Sequence, residues 1–354
     1  MARVLVGMSG GVDSAVAAYL LKQEGHEVIG ITLRTWQGDS GEDSRCCEID
    51  DARMTAEIIG IKYHPHNCLS LFGNRVVKPF VRDYLDGLTP NPCIECNKYV
   101  KWDKMMELTH VFDAQYVATG HYANIVKLDN GRYTVKKALH VAKDQTYMLY
   151  KLTQEHLSHT MMPLGTYTKD EVRKIAAEIG LPCAGKSDSQ EICFVTEGKY
   201  QDFIKEHSDR PVPGEGSFVD SAGNVLGTHK GIYGYTVGQR KGLGIALGKP
   251  AYVTKISPDD NTVVLGTIAD IMCSSFYCRE VNFLSVDDII GEPVRCFVKA
   301  RYHQPERPAY IRRCDDRRVL VTLDDAVAGV SPGQSAVFYD SEGCVIGGGK
   351  IDKP

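Results

Sequence analysis

The sequence lacks any apolar run long enough to span a bilayer, and its first residues show no signal-peptide pattern. We therefore expect a cytoplasmic protein with no membrane partner. It also lacks an excess of basic residues, since 41 Lys and Arg stand against 45 Asp and Glu. This balance argues mildly against a nucleic-acid partner unless the cations gather in a local patch.

The first glycine-rich turn, Ser9-Gly10-Gly11, lacks two common phosphate-binding signatures. It has neither the Gly-Lys-Ser/Thr of a Walker A loop nor a G-x-G-x-x-G fingerprint. Internal repeats and low-complexity tracts are absent as well.

The composition is that of a globular protein. The chain has 354 residues, of which 43% are hydrophobic and 24% charged, so we expect two or three domains. The chain has 12 cysteines. In the cytoplasm we expect most of them to be reduced thiols, and a close pair suggests metal or redox chemistry.

The first strand and turn organise the chain. Residues 4–6 are a short apolar run, followed by Ser9-Gly10-Gly11, after which Asp13 and Ser14 open a helix. Glycines let the backbone approach an anion, and a helix start offers unpaired N–H groups and a positive dipole end. The pattern predicts a phosphate-holding turn; the alternative is an ordinary glycine-rich connection.

Strands and helices alternate after this turn. Apolar runs at 26–33 and 61–64 predict strands, and residues 50–59 and 71–85 predict helices, which together indicate a parallel sheet covered on both faces. Short strands from residue 276 onward suggest a small barrel or sandwich. We place domains at 1–208, 209–275 and 276–354.

Three cysteines lie in polar, turn-rich segments. Cys93 and Cys96 form a C-x-x-C within T-P-N-P-C-I-E-C-N-K, and Cys193 is expected to lie on a polar approach to an apolar strand within residues 186–195. Ligands gather at the carboxyl edge of a parallel sheet, where these segments attach. A C-x-x-C also suits a redox pair, or zinc if a fourth ligand exists. The remaining cysteines considered are expected to be small core residues: Cys68, Cys183, Cys273, Cys278, Cys296, Cys314 and Cys344.

The C-terminal region supplies a local concentration of cations. Its members are Lys299, Arg301, His303, Arg307, Arg312, Arg313, Arg317 and Arg318. They predict a surface for nucleic acid; the alternative is ordinary solvated strand faces.

Motifs spread over the whole chain resemble one family. S-G-G-V-D-S resembles the pyrophosphate loop of the ATP pyrophosphatases. Seven more follow in order: T-P-N-P-x-x-x-C-N-K, A-T-G-H-Y, K-D-Q-T-Y, E-I-C-F-V, G-x-x-x-Y-T-x-G-Q-R-K-G-L, R-Y-x-Q and V-S-P-G-Q-S-A-V-F-Y. Together they resemble the tRNA-specific 2-thiouridylase (MnmA/TrmU) family.

The resemblance implies a fold and a reaction. The fold is α/β, a Rossmann-like parallel sheet of the ATP-pyrophosphatase type followed by a small central tRNA-contacting domain and a C-terminal antiparallel β-barrel. ATP adenylates the C2 oxygen of the wobble uridine in tRNA, and sulfur then displaces AMP. The base must leave its stack to react.

The resemblance also implies partners and cofactors. These are tRNAs of the Lys, Glu and Gln acceptor types, and a sulfur-donor protein such as a cysteine desulfurase or a relay protein. Mg²⁺ accompanies ATP as counter-charge, with Asp13 as a plausible ligand, directly or through water.

Residue roles follow from the same resemblance. Cys96 is the nucleophile, and Cys193 carries the persulfide. The residues implied to hold ATP are Gly7, Met8, Ser9, Gly10, Gly11, Val12, Asp13, Ser14, Leu33 and Gly120. The residues implied to contact tRNA are Asn91, Pro92, Cys93, His121, Lys143, Asp144, Gln145, Arg301, Tyr302 and Gln334.

One residue departs from the family pattern. Many members carry Asp where this chain has Cys93, so that Cys93, Cys96 and Cys193 form a C-x-x-C…C set. Such sets in related tRNA thiolases bind a [4Fe–4S] cluster with one iron open to sulfide. The three thiols would then be cluster ligands and would replace the persulfide–disulfide route. Both routes, and an incidental Cys93, stay open.

Two further hypotheses need fewer of the motifs. A small-molecule synthetase of the ATP-pyrophosphatase type needs only the first loop, but no N-terminal nucleophilic cysteine or glutaminase-like segment supports it. A non-catalytic RNA-binding or iron–sulfur scaffold would bind RNA without turning over ATP. Pyrophosphate release with and without unmodified tRNA separates the three.

Overall fold

The computed structural model describes residues 1–38, 48–185, 192–196 and 198–353. The chain divides into two compact units. The first comprises Met1–Val76, Pro92–Glu197 and Glu342–Val345, and the second comprises Val77–Asn91, Gly198–Ser341 and Ile346–Pro354. The domain boundaries expected near residues 208 and 275 remain predictions. The two units are each built from separate segments, and segment 77–91 belongs to the same unit as residues 198–341.

The first unit contains a parallel sheet and a separate hairpin. Its strands are β1 (Arg3–Gly7), β2 (Glu27–Arg34), β3 (Lys62–Asn67), β4 (Tyr116–Thr119), β5 (Ala123–Lys127), β6 (Tyr133–Lys137) and β7 (Thr160–Met161). The sheet order is β3-β2-β1-β4-β7, and β5 pairs with β6. Val4, Leu5 and Val6 are fully buried, as a central strand covered on both faces requires. The predicted parallel sheet is confirmed.

Helices of the first unit connect and cover these strands. They are α1 (Val12–Gln23), α2 (Ile49–Ile59), α3 (Leu69–Phe72), α5 (Pro92–Glu95), α6 (Asp103–Phe112), α7 (Gln154–Ser158) and α8 (Lys169–Glu178). The helix expected over 71–85 is instead α3, a π-helical turn at Gly73–Val77 and α4 (Lys78–Leu85), and α4 lies in the second unit.

The connection between β1 and α1 lies where the sheet reverses its strand order. β2 pairs with one side of β1 and β4 with the other, and Gly7 is in register with Thr119. Such a switch point opens a crevice at the carboxyl ends of the strands. The predicted phosphate-holding turn and the segment after β4 therefore meet at one edge.

The second unit combines a small sheet with a closed barrel. It contains α4 and α9 (Tyr200–Glu206), and the strands β8 (Gly216–Val219), β9 (Val225–His229), β10 (Tyr252–Ser257), β11 (Thr262–Gly266), β12 (Met272–Phe283), β13 (Val294–Lys299), β14 (Arg307–Arg313), β15 (Val319–Ala328), β16 (Ser335–Tyr339) and, apart from its first residue, β17 (Val345–Ile351). The sheet order is β10-β11-β8-β9 and the barrel order is β12-β15-β14-β13-β16-β17. The predicted C-terminal antiparallel barrel is confirmed.

The cysteines expected in the core are mostly there. Cys68, Cys183, Cys278, Cys296 and Cys344 are buried. Burial raises the pKa of the Cys296 thiol to about 12, so it stays protonated and packs as a small apolar group. The expectation is wrong for Cys314, which is exposed, and for Cys273, which is partly exposed. Both lie near strand ends, where an alternating pattern does not fix which face is covered.

No helix within the described residues has both the length and the apolar character needed to cross a membrane.

Gly120 sets how closely the end of β4 approaches α1. A Cβ atom there would lie 2.6 Å from the carbonyl carbon of Asp13 and 2.6 Å from the backbone nitrogen of Ser14. Both atoms are backbone and cannot swing away. Gly120→Ala should therefore destabilise the protein by about 1–3 kcal/mol, as overpacking typically does, and urea unfolding measures the change.

Gly73→Ala is the matched control for that substitution. It lies in a helical segment with no heavy atom within 4 Å of its added Cβ, so its stability should stay the same or rise slightly. Equal unfolding midpoints for the two variants would contradict the close approach.

Candidate active site

Ser14 closes the turn that follows β1. Its Oγ donates to the carbonyl oxygen of Gly11 at 3.0 Å and accepts from the backbone N–H of Ser9 at 3.2 Å. Gly10 has φ +84°, and a Cβ there would lie 2.7 Å from Cβ of Glu48. The turn is therefore a closed backbone loop that leads directly into the first turn of α1.

The neighbouring strand fixes the entry to this turn. The backbone N–H of Met8 donates to the carbonyl oxygen of Ile31 at 2.8 Å, and Thr32 Oγ1 donates to the carbonyl oxygen of Met8 at 2.6 Å. Gly11 is the N-cap residue of α1 and has no side chain to cap it. The first N–H groups of α1 thus keep the character of an anion site.

Asp13 has defined partners inside the first unit. Lys169 Nζ, at the start of α8, lies 2.7 and 2.8 Å from its two carboxylate oxygens. The hydroxyl of Tyr122 donates to Oδ1 at 2.8 Å. Sequence reasoning missed Lys169, because its only local signal is the capping box in which it lies.

The segment after β4 turns inward. His121 is buried, its Nδ1 lies 2.8 Å from Thr119 Oγ1, and burial pulls the pKa of its imidazole well below the usual value, with Lys101 adding to the shift. Tyr122 and Gln145 exchange two hydrogen bonds, one from Tyr122 N–H to Gln145 Oε1 at 2.9 Å and one from Gln145 N–H to the Tyr122 carbonyl at 3.0 Å. The segment after β4 is therefore held in place by hydrogen bonds within the protein, and its Tyr122 hydroxyl contacts Asp13 of α1.

Asp144 is also an internal residue. Its Oδ1 accepts from the backbone N–H of Ala138 at 3.1 Å, and its Oδ2 accepts from Thr146 Oγ1 at 2.6 Å. Lys143, one residue earlier, is partly exposed. The contacts with tRNA expected of His121, Asp144 and Gln145 stay predictions, although the structure gives each of them a partner within the protein.

The C-x-x-C motif lies at the beginning of a long helical stretch. Pro92 begins α5, where its missing N–H costs nothing, and a π-helical segment, Cys96–Trp102, continues it into α6. Cys93 is exposed and Cys96 is partly exposed. The two cysteines are three positions apart at this helix start, a spacing that favours one helical face.

Neighbouring side chains hold this helix start in place. Lys151 Nζ lies 2.6 Å from Glu95 Oε1, and Asn97 Nδ2 donates to the carbonyl oxygen of Met148 at 3.0 Å. Lys98, two residues after Cys96, lies 2.7 Å from Asp103 Oδ1. Its charge is thus offset by a carboxylate.

Cys193 lies in a turn rather than on the approach to a strand. The strand expected at its position is not found in residues 192–196, and residues 186–191 lie outside the described part of the chain. Phe194 is 2% exposed, and its ring centroid lies 5.5 Å from that of Phe72 and 6.3 Å from that of Trp36. The apolar residues beside Cys193 therefore anchor a turn to an aromatic cluster.

The thiols do not form a metal-binding group as arranged here. Within the described residues, which include Cys93, Cys96 and Cys193, no set of three or more His, Cys, Asp or Glu side chains is placed to hold a metal ion. The three-thiolate cluster site does not fit this arrangement.

Two expected tRNA contacts have partners inside the second unit. Arg301 Nη2 donates to the carbonyl oxygen of Val237 at 2.8 Å and to Ser331 Oγ. Gln334 Nε2 donates to the carbonyl oxygen of Thr89 at 2.8 Å. Tyr302 is partly exposed, with Lys299 Nζ 5.3 Å from its ring centroid. Asn91 is partly exposed and ends segment 77–91.

The charge on the barrel is partly offset. Arg313 lies 2.6 Å from Asp288, and Arg318 lies 2.9 Å from Asp315. In the central region, residues 240–251 line an open concavity of about 430 Å³ that includes Arg240 and Lys249. Sequence reasoning placed the cations on the barrel, and this loop entered it only through the motif G-Q-R-K-G-L and the predicted central tRNA-contacting domain.

Known protein families match this chain along nearly its whole length. Sequence models of three domain families match it: the tRNA methyl transferase HUP domain over residues 2–197, the tRNA methyl transferase PRC-barrel domain over 201–267 and the aminomethyltransferase beta-barrel domain over 273–351. A tRNA-specific 2-thiouridylase MnmA of Clostridioides difficile is 47% identical over 99% of this chain and 98% of its own length. The chain belongs to the tRNA-specific 2-thiouridylase family. It is therefore an enzyme, and the resemblance drawn from its motifs is confirmed.

Two further similarities complete the comparison. The tRNA-specific 2-thiouridylase MnmA 2 of Caldanaerobacter subterraneus is 49% identical over 99% of this chain and 98% of its own length. The solved U34-tRNA thiolase NcsA of Methanococcus maripaludis, with its [4Fe-4S] cluster, is 22% identical at a TM-score of 0.36, covering 59% of this chain and 63% of that chain. A TM-score at that level does not decide the sulfur route of this 2-thiouridylase.

The buried His121 makes stability depend on pH. Its folded-state pKa lies below its unfolded value, so below about pH 6.5 the unfolded chain binds the additional proton and stability falls as pH falls. We expect the free energy of unfolding to drop between pH 7 and 5.5, with a slope of up to about 1.4 kcal/mol per pH unit from this group. Urea unfolding at several pH values measures it.

His121→Gln should reduce that slope, because the glutamine side chain does not titrate. Other histidines whose pKa burial lowers, such as His156, keep their contribution to the slope. His159→Gln, which makes the same substitution at an exposed histidine, is the matched control variant. Identical slopes in wild type and His121→Gln would show that His121 does not carry the effect.

Proposed function

We propose that this enzyme replaces the C2 oxygen of the wobble uridine of tRNA with sulfur, in tRNAs of the Lys, Glu and Gln acceptor types. ATP activates the oxygen, and a sulfur-donor protein supplies the sulfur. The observation that carries the proposal is the content of the first unit. It combines a closed glycine-rich turn and an uncapped helix start at a sheet switch point with three cysteines in turns and at a helix start.

ATP is proposed to bind at the turn from Gly7 to Ser14, with Leu33 and Gly120 beside the nucleoside. The closed backbone loop and the uncapped start of α1 support this, because both suit a triphosphate. The uridine C2 oxygen attacks the α-phosphorus, and pyrophosphate leaves. The resulting adenylate makes the oxygen a good leaving group.

Magnesium accompanies ATP as the counter-charge of its phosphates. Asp13 was considered as a ligand from the sequence. Both of its carboxylate oxygens accept from Lys169 in the structure, so Asp13 does not fit as a direct ligand.

Sulfur is proposed to travel through Cys193 and Cys96. The terminal sulfur of a Cys193 persulfide attacks C2, and AMP leaves with the former C2 oxygen. The thiolate of Cys96 then attacks Sγ of Cys193, which releases the 2-thiouridine and leaves a disulfide between the two cysteines. An external thiol reductant returns the disulfide to two thiols.

A [4Fe–4S] route is the second candidate, and it rests on Cys93. The C-x-x-C…C set supplies three thiolates, the number that leaves one iron open. The described residues do not gather these thiols into a metal-holding group. We therefore prefer the persulfide route.

The cysteine variants separate the two routes. With the persulfide route, Cys96→Ser and Cys193→Ser should lose more than about 10³-fold in thiolation, as expected for nucleophiles, and keep tRNA-dependent pyrophosphate release. Cys93→Ala should retain thiolation with a persulfide donor. The measurements are thiouridine formation and pyrophosphate release, on anaerobically purified protein analysed for iron and sulfide.

If Cys93→Ala, Cys96→Ser and Cys193→Ser all lose thiolation, and the wild-type protein contains stoichiometric iron and sulfide, the cluster route would be favoured. Cys68→Ala, at a buried cysteine outside these segments, is the control for nonspecific damage. Pyrophosphate release that ignores tRNA would contradict the proposed substrate and favour a small-molecule synthetase.

The tRNA backbone is proposed to contact the loop at residues 239–250 besides the barrel. Arg240, Lys241 and Lys249 are exposed there, and none of them has an ion-pair partner within the described part of the chain. Cations of the barrel such as Arg295 and Arg279 are paired with carboxylates. A cation that has no carboxylate partner is available to neutralise a phosphate, and each phosphate neutralised releases counterions condensed on the nucleic acid.

Replacing Arg240 and Lys241 together by alanine should weaken tRNA binding and lower the slope of log affinity against log salt by about 0.7–0.9 per lost phosphate contact. The matched control replaces Arg279 and Arg295 by alanine, which removes the same charge from paired positions. Equal slopes for the two double variants would contradict a role for this loop. Binding is measured by filter retention at several salt concentrations.

A further inference from the structure

We propose that Lys169 is a positioning residue of the nucleotide site. It cancels the charge of Asp13, so that the start of α1 accepts a triphosphate while Asp13 acts as a structural anchor and not as a magnesium ligand. This inference rests on the proposed binding of ATP at the turn after β1.

Lys169 and Asp13 form an ion pair in which the ammonium contacts both carboxylate oxygens. Lys169 is 4% exposed, and its ammonium lies within 2.8 Å of both carboxylate oxygens of Asp13. Tyr122 donates a further hydrogen bond to Oδ1, and the ammonium lies 5.9 Å from the centroid of its ring. A buried ammonium is costly without such partners.

The position of Asp13 explains why this charge matters. Asp13 is the second residue of α1 and lies in its first turn. A carboxylate at that place interacts favourably with the positive end of the helix dipole. It would therefore compete with a phosphate for the same N–H groups and repel it. Pairing with Lys169 removes the net negative charge and leaves the helix start available to the ligand.

The fold delivers Lys169 to this place from far along the chain. Thr168 and Glu171 form a capping box, in which the Thr168 N–H donates to Glu171 Oε2 at 2.7 Å. This cap fixes the first turn of α8, where Lys169 is the first residue. Gly120 lets the backbone before Tyr122 lie against Asp13. The ion pair is thus positioned by two independent elements.

Direct magnesium ligation by Asp13 would require one of its oxygens to lie about 2.0–2.1 Å from the ion. Each oxygen already accepts from the ammonium of Lys169. Placing a divalent cation there would bring it against a buried positive charge. An ion that accompanies ATP would then take its ligands from the phosphates and water, while Asp13 stays paired with Lys169.

Three variants test the charge argument: Lys169→Met, Asp13→Asn and the double variant. ATP binding is measured by calorimetry with Mg²⁺ and with EDTA, and folding by thermal melting. Lys169→Met should weaken ATP binding about 10- to 100-fold in both conditions, because an uncompensated carboxylate then faces the phosphates. The double variant removes both charges and should bind ATP at least tenfold more tightly than Lys169→Met.

Asp13→Asn should retain the ratio between ATP affinities with and without Mg²⁺, whatever its melting temperature. Lys169→Arg should rescue ATP affinity towards the wild-type value. Lys174→Met, an exposed lysine of the same helix paired at 3.9 Å with Glu178, is the matched control and should behave as wild type.

Two results would overturn the inference. One is unchanged ATP affinity in Lys169→Met, and the other is a selective loss of the Mg²⁺-dependent part of binding in Asp13→Asn, which would make Asp13 a ligand. Failure of the wild-type protein to bind ATP would contradict the proposed function itself. If Lys169→Met does not fold, the comparison of the double variant with Lys169→Arg and wild type decides between the two roles.

Discussion

The close approach of two backbone segments is the constraint on which the site depends. Gly120 brings the end of β4 against the backbone of Asp13 and Ser14, with no room for a side chain. This contact sets the spacing between α1 and the residues that follow β4, including Tyr122. Without it, the hydroxyl that reaches Asp13 and the turn that Ser14 closes would not share one edge of the sheet.

The buried charged groups of this protein are largely paired with opposite charges of the same chain. The most buried cation, Lys169, faces Asp13, and Lys98 and His156 face the same carboxylate of Asp103. Burial and the charge of Lys98 lower the pKa of His156, so the imidazole is neutral near pH 7. Buried ionic groups of this kind contribute little net stability. Their effect is to fix where neighbouring backbone lies, which is what a site for an anionic ligand requires.

Features local in sequence were predictable, and long-range pairs were not. The turn at Ser9–Ser14, the strand β2 and the helix α2 depend on neighbouring residues, so their patterns indicate them. Lys169 reaches Asp13 across 156 positions, and no periodicity encodes that distance. The apolar residues after Cys193 suggested a strand, but Phe194 is buried because it packs on Trp36 and Phe72. A short apolar run indicates that its residues are buried, but it does not distinguish a strand from a turn.

The division of the chain into units has a consequence for its synthesis. Segment 77–91 belongs to the second unit, where Phe80 and Tyr84 pack on Phe203 and Tyr200, so this segment leaves the ribosome long before its partners. The first unit in turn includes Glu342–Val345, whose Cys344 pairs with Lys136 at the edge of the β5–β6 hairpin. Neither unit can complete its contacts during translation until nearly the whole chain has emerged. Because such distant contacts form slowly, the nascent enzyme passes through a long period in which α4 has no core to join.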